Sequence, residues 1–113
     1  MANTDRFSRK ARKRLEAQLG PDEQVLHSAT VGPVGLVLTN RRLMLAPYVR
    51  GVDDEVNPQL SAIHNVAWRK GSLWSPGVLT IYTGSQTLTY DKVPNKQGES
   101  AAIAIRQAMA AQG

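Results

Sequence analysis

The chain has no cysteine among its 113 residues, which excludes disulfides and thiolate metal sites. No run approaches the ~20 consecutive apolar residues of a membrane-spanning helix. The first residues are charged and lack an apolar segment, so no secretory leader is expected. Serine is nowhere set in a nucleophile elbow beside a histidine, and the glycines form neither a phosphate loop nor a dinucleotide fingerprint. His27 and His64 lie on separate expected strands with no metal-ligand spacing, and Asp53, Asp54 and Glu55 lack the alternating pattern of a calcium loop. No catalytic residue, metal site or cofactor is therefore expected, and the chain reads as a non-enzymatic cytoplasmic protein. No internal repeat or low-complexity segment is present.

Apolar residues make up 42% of the chain, enough for one domain with one core. The formal charge of +5 is unevenly placed. Residues 1–16 hold Arg6, Arg9, Lys10, Arg12, Lys13 and Arg14 against Asp5 and Glu16, a net +4, which leaves +1 for the remainder. The spacing predicts a helix over 4–19. Thr4 caps it, Asp5 suits its positive end, and Gly20-Pro21 stops it. Phe7, Ala11, Leu15 and Leu19 form one stripe, and the cations fill the opposite arc. The Ala- and Arg-rich usage points to a high-GC bacterium or one of its phages.

From Gln24 onward, short aliphatic and β-branched runs alternate with turn residues. Strands are expected at 24–30, 34–39, 42–49, 63–69, 73–83 (interrupted near Pro76-Gly77) and 87–93, with a further short strand within 51–58. Thr39-Asn40-Arg41-Arg42 supplies a polar turn in which Asn40 tolerates left-handed angles. Period-2 alternation puts Leu43 and Leu45 on one face, and Met44 and Ala46 on the other. Val66 and Trp68 share a face, and Leu79 and Ile81 alternate with Thr80 and Tyr82. A final helix over 95–111, capped by Asn95, carries the stripe Ala102, Ile105, Ala108 and Met109. Regular short strands and turns argue for a barrel or sandwich.

The segment Val37-Leu-Thr-Asn-Arg-Arg-Leu-Met-Leu45 is followed by 59–71 (QLSAIHNVAWRKG), 77–93 (GVLTIYTGSQTLTYDKV) and a last helix. In that order these segments resemble the bacterial pleckstrin-homology-like (PH-like) domain family, with its YokE-like and GRAM-related members, over roughly residues 15–111. The resemblance implies a mainly β fold: a seven-stranded, bent antiparallel barrel at 21–113, capped by its C-terminal helix and preceded by the basic amphipathic helix 1–20. It does not imply one activity. Relatives that bind phosphoinositides use basic residues between strands one and two. Residues 31–35 hold none here, so headgroup recognition of that kind is not expected.

Two partner classes follow. The first is a protein, including a second copy of the chain, reached through an open strand edge, the groove beside the last helix, or Trp74 as a contact anchor. The second is an anionic surface, either nucleic acid or the inner face of the membrane, met by Arg6, Arg9, Lys10, Arg12, Lys13 and Arg14. Each cation near an anionic bilayer contributes about 1 kcal/mol. The competing reading of that helix is a solvated outer face whose apolar stripe docks on the barrel. Arg41, Arg42 and Arg50 form a secondary basic patch. A structural role competes there too, with one arginine paired to Asp53, Asp54, Glu55 or Asp91. Trp68, Trp74, Tyr82 and Tyr90 read either as a stacking surface for bases or as strand positions facing the core.

Overall fold

The structure is a computed structural model that describes residues 10, 13–32, 34–47 and 56–112. The strands are β1 (Val25–Val31), β2 (Val34–Thr39), β3 (Leu43–Pro47), β4 (Ile63–Arg69), β5 (Gly77–Thr83) and β6 (Thr87–Val93). A 3-10 turn at Leu60–Ala62 precedes β4, and the helix α1 (Asn95–Gln112) ends the chain. All pairings are antiparallel and sequential, giving two three-stranded sheets, β1-β2-β3 and β4-β5-β6.

The expected seven-stranded closed barrel is overturned. Among the described residues no strand of one sheet pairs with a strand of the other. The 51–58 segment was expected to carry a further strand. The described part, 56–58, forms no named strand, but it runs antiparallel to β3 through the isolated bridge Leu45–Val56 and the Leu43 N–H to Pro58 carbonyl bond, followed by the bridge Arg42–Gln59, and the chain then turns at buried Leu60. The two sheets are held by side chains and by α1, which packs against β1 of the first sheet and β4 and β5 of the second. The core between them contains Leu36, Leu38, Leu43, Leu45, Val66, Leu79, Ile81 and Val93, and α1 inserts Ala101, Ala102, Ile105 and Ala108. The alternation expected along β3, β4 and β5 is present.

A second, smaller core lies on the outer face of the first sheet. Leu15 is fully buried against Val37, Met44 and Ala46, with Leu19 packed beside them. Burying one leucine side chain contributes roughly 1.5–3 kcal/mol. The amphipathic segment thus docks its apolar side on the sheet, at least through Leu15 and Leu19. Phe7, Ala11, Arg6, Arg9 and Arg12 lie outside the described residues. Residues 13–16 are helical, and the expected helix end at 19 is shortened. Gln18 and Leu19 donate to the carbonyls of Leu15 and Glu16, three residues back, so the last turn tightens ahead of Gly20-Pro21. Because β2 faces one core with Leu36 and Leu38 and the other with Val37, every residue in it is buried.

Trp68 sets the distance between the second sheet and α1. A Cβ on Gly98 would collide with its indole ring, and one on Gly77 would meet both that ring and the Arg69 carbonyl. Glycine at these two positions is a matter of space. Nearby, β6 carries one residue more than β5 between the pairs Gly77–Val93 and Leu79–Tyr90, and Lys92 there takes a φ of 58°. This bulge bends the exposed strand edge.

Gly98→Ala therefore destabilises the fold by about 1–3 kcal/mol in urea unfolding, although alanine favours a helix by about 1 kcal/mol. Lys92→Gly raises the urea midpoint, since the left-handed conformation costs a side-chain-bearing residue about 1–2 kcal/mol. An unchanged midpoint in either variant contradicts the packing described.

Candidate functional site

Residues 39–42 close the β2–β3 hairpin without the left-handed asparagine expected there. Among the described residues only Lys92 and Gly32 have positive φ. The turn is instead shaped by Thr39. Its hydroxyl oxygen accepts from the N–H groups of Arg41 and Arg42, both at 3.1 Å, and its own N–H donates to the Arg42 carbonyl at 2.9 Å. This is the local side-chain turn that threonine offers in place of regular structure.

Glu23 converges on that turn. Arg42 Nε donates to its Oε2 at 2.8 Å and Nη2 to its Oε1 at 3.0 Å, a two-pronged ion pair. Thr39 Oγ1 donates to Oε2 at 2.7 Å, and the Gly20 N–H donates to Oε1 at 3.0 Å. Arg42 Nη2 also reaches the Gln18 carbonyl at 2.8 Å. The Glu23 side chain is 4% exposed and that of Arg42 is 25% exposed. The Arg42 hydrogen bonds, helped by Gly20 and Thr39, outweigh the cost of burial and hold the Glu23 carboxyl at about 2, down from the ordinary 4.5. Asn40 adds a second tie, accepting the Gln24 N–H on Oδ1 at 2.7 Å and donating its own N–H to the Gln24 carbonyl at 3.0 Å. Gln112, at the end of α1, donates to the Asn40 carbonyl at 3.1 Å.

Above this node lies an open polar cleft of about 520 Å³, lined by Gln18, Glu23, Asn40, Arg41, Gln59 and Gln112 among others. It joins carboxamides to the Arg42–Glu23 ion pair. Arg41, at its rim, lies 3.9 Å from Asp22, and both side chains are exposed. Arg42 is thus a structural residue. Its partner is Glu23, which the sequence reading did not single out, and not Asp91. Asp53, Asp54, Glu55 and Arg50 lie outside the described residues. The signal for Glu23 is register: Val25 pairs with Thr39, so an acid two residues before β1 reaches the β2–β3 turn.

Of the six N-terminal cations, Lys10, Lys13 and Arg14 are described and exposed. The four aromatics do not form one platform. Trp68, Leu79 and Tyr90 stand in a cross-strand row facing the main core. Burial lifts the Tyr90 phenol to about 12. Tyr82, on the alternate face of β5, is exposed. His27 and His64 sit on different sheets. Among the described residues no group of three metal-ligating side chains converges, and no helix is long and apolar enough to cross a membrane.

Trp74 is isolated from all of these. Residues 73–76 were expected to begin a strand, but β5 starts only at Gly77. Ser72 Oγ accepts the N–H groups of Trp74 at 3.1 Å and Ser75 at 3.0 Å, which takes both donors from any ladder, and Pro76 has none. Asn95 was expected to cap α1. Its Oδ1 instead accepts the Gly71 N–H at 2.9 Å, pinning the loop to the helix start. The first helical bond runs from Gly98 to the Pro94 carbonyl. On this braced loop Leu73 is 96% and Trp74 93% exposed. Leu73 was not anticipated as a surface residue, because aliphatic residues before a strand read as core.

The chain matches no protein-family model and no curated protein. The PH-like resemblance accordingly rests on the residues quoted for it.

Glu23 links stability to pH. Its folded pKa lies below the ordinary value, so its contribution is full above 4.5 and is lost as pH falls from there toward about 2. Glu23→Gln flattens that part of the acid-unfolding curve and costs about 1–3 kcal/mol at neutral pH, leaving Arg42 with weaker partners. An acid profile that superimposes on the parent's between those values rules out the node as described.

Proposed function

We propose that the protein is a non-enzymatic binding module, an adaptor of PH-like kind, that attaches to a larger surface through the Leu73–Trp74 tip. One observation carries this reading: two large apolar side chains stand almost wholly in water on a loop whose backbone is fixed by Ser72 and Asn95. Exposing a tryptophan in a braced loop wastes apolar burial unless something covers it. A rigid anchor also loses little conformational freedom on binding.

Other features favour the tip over the strand edges considered from sequence. α1 packs against β1, Arg106 Nη2 of α1 donates to the Val66 carbonyl on β4, β3 is bridged by Val56, and β6 is bulged. Such edges are poor templates for an added strand. A cytoplasmic site of action is part of the same proposal.

A photo-crosslinking residue at position 74 should give adducts in the source cell that are absent when the same residue replaces Gln86, on the exposed β5–β6 turn. Identical adduct patterns at the two positions would defeat the reading.

A further inference from the structure

We infer that the surface met by the tip is the interfacial layer of an anionic lipid bilayer. The inference rests on the reading of Leu73–Trp74 as the contact point and names what it contacts. Three observations favour a bilayer over a protein groove.

The apolar element is small and isolated. Leu73 and Trp74 are flanked in sequence by exposed Arg69, Lys70, Ser72, Ser75 and Pro76, and the other exposed large hydrophobics among the described residues, Val25, Leu26, Tyr82 and Ile103, lie on β1, β5 and α1. A dry protein interface has an apolar centre extended over many residues, whereas a bilayer accepts a two-residue wedge, and tryptophan favours its headgroup level.

The charges nearest the wedge in sequence are both cationic, while Asp91, Lys92 and Glu99 are exposed farther along, on β6 and α1. From residue 56 to residue 90 the sequence contains no Asp or Glu, and its only Lys or Arg residues are Arg69 and Lys70. Among the described residues neither makes an ion pair. Lys96, next to the Asn95 that pins the loop, is also exposed. These cations are free to meet lipid phosphates and carboxylates when the tip is seated.

Behind the tip is an open recess of about 270 Å³ lined by Arg69, Lys70, Gly71, Ser72, Ser75 and Pro76. Two of its lining residues are cationic and two carry hydroxyls, a lining suited to one lipid headgroup. The brace matters here as well. Gly71 packs so closely on Ser75 and Pro76 that a Cβ would collide with their backbone, so the loop keeps its shape without a ligand.

The test uses the full chain and vesicles of phosphatidylcholine with about a third phosphatidylserine, beside pure phosphatidylcholine. Trp68 is already packed against the core and Trp74 is the only other tryptophan, so a change in emission on binding reports Trp74. The expected result is co-sedimentation with the anionic vesicles, a blue-shifted emission, and quenching by brominated acyl chains. Leu73→Ser with Trp74→Ser lowers binding at least tenfold, and Arg69→Gln with Lys70→Gln by about tenfold at low salt, with unchanged urea midpoints. Raising the salt to physiological strength, where the Debye length is about 8 Å, weakens the parent protein. Unshifted emission, equal binding to both vesicle types, or full binding by the tip variant each overturns the inference. So does binding that persists in the tip variant but disappears when residues 1–14 are removed. A discrete protein adduct at position 74 with vesicles inert would sink the bilayer and leave the contact reading standing. No specific adduct and inert vesicles would sink both.

Discussion

A single carboxylate organises the first sheet. Glu23 is nearly out of water, and a buried charge is tolerable only when its lone pairs are filled. Here they are filled from three directions: the Arg42 guanidinium, the Thr39 hydroxyl and the Gly20 amide. Each donor comes from a different piece of chain, so satisfying one anion fixes the entry to β1, the end of β2 and the start of β3. Removing the acid would leave the arginine and the threonine short of partners in one step. The neighbouring Asn40 extends the same junction to Gln24 and, through Gln112, to the far end of α1.

The architecture then follows from what each sheet face must cover. The inner faces meet across a core that α1 completes by touching both sheets. Small residues on α1, among them Gly98 and Ala102, let it approach closely, and the Trp68 ring takes the space that larger side chains would fill. The outer face of the first sheet is apolar at Val37, Met44 and Ala46 and needs its own cover, which Leu15 and Leu19 supply. The N-terminal segment therefore has a packing role, and its exposed cations are the other side of the same amphipathic arrangement.

Strand positions and facing were legible because β-branched alternation is a short-range signal. Leu43 and Leu45 against Met44 and Ala46, and Leu79 and Ile81 against Thr80 and Tyr82, divide between faces as their spacing requires. Closure was not legible. Whether two sheets join depends on the hydrogen-bond register of their edge strands, which no local pattern encodes, and among the described residues no strand of one sheet pairs with a strand of the other. An ion pair for one of the arginines was expected with Asp53, Asp54, Glu55 or Asp91, of which only Asp91 lies within the described residues; Arg42 pairs with Glu23, which hairpin register brings across. Trp74 stood out because it sits among turn residues. Leu73 did not, since its exposure is imposed by a hydroxyl, Ser72, that captures the following amides.

The double coverage of β2 has a consequence for how the molecule would come apart. Its two packing layers use different side chains: one is built by distant strands and α1, the other by a short leading segment whose link at 17–20 also serves the Glu23 node through the Gln18 carbonyl and Gly20 amide. If that leading segment were clipped or peeled away, the main layer would keep its partners. The valine, methionine and alanine on the outside of the sheet would be left bare. The damaged molecule would stay folded yet become adhesive, so cleavage there would show itself as clumping before it showed itself as unfolding.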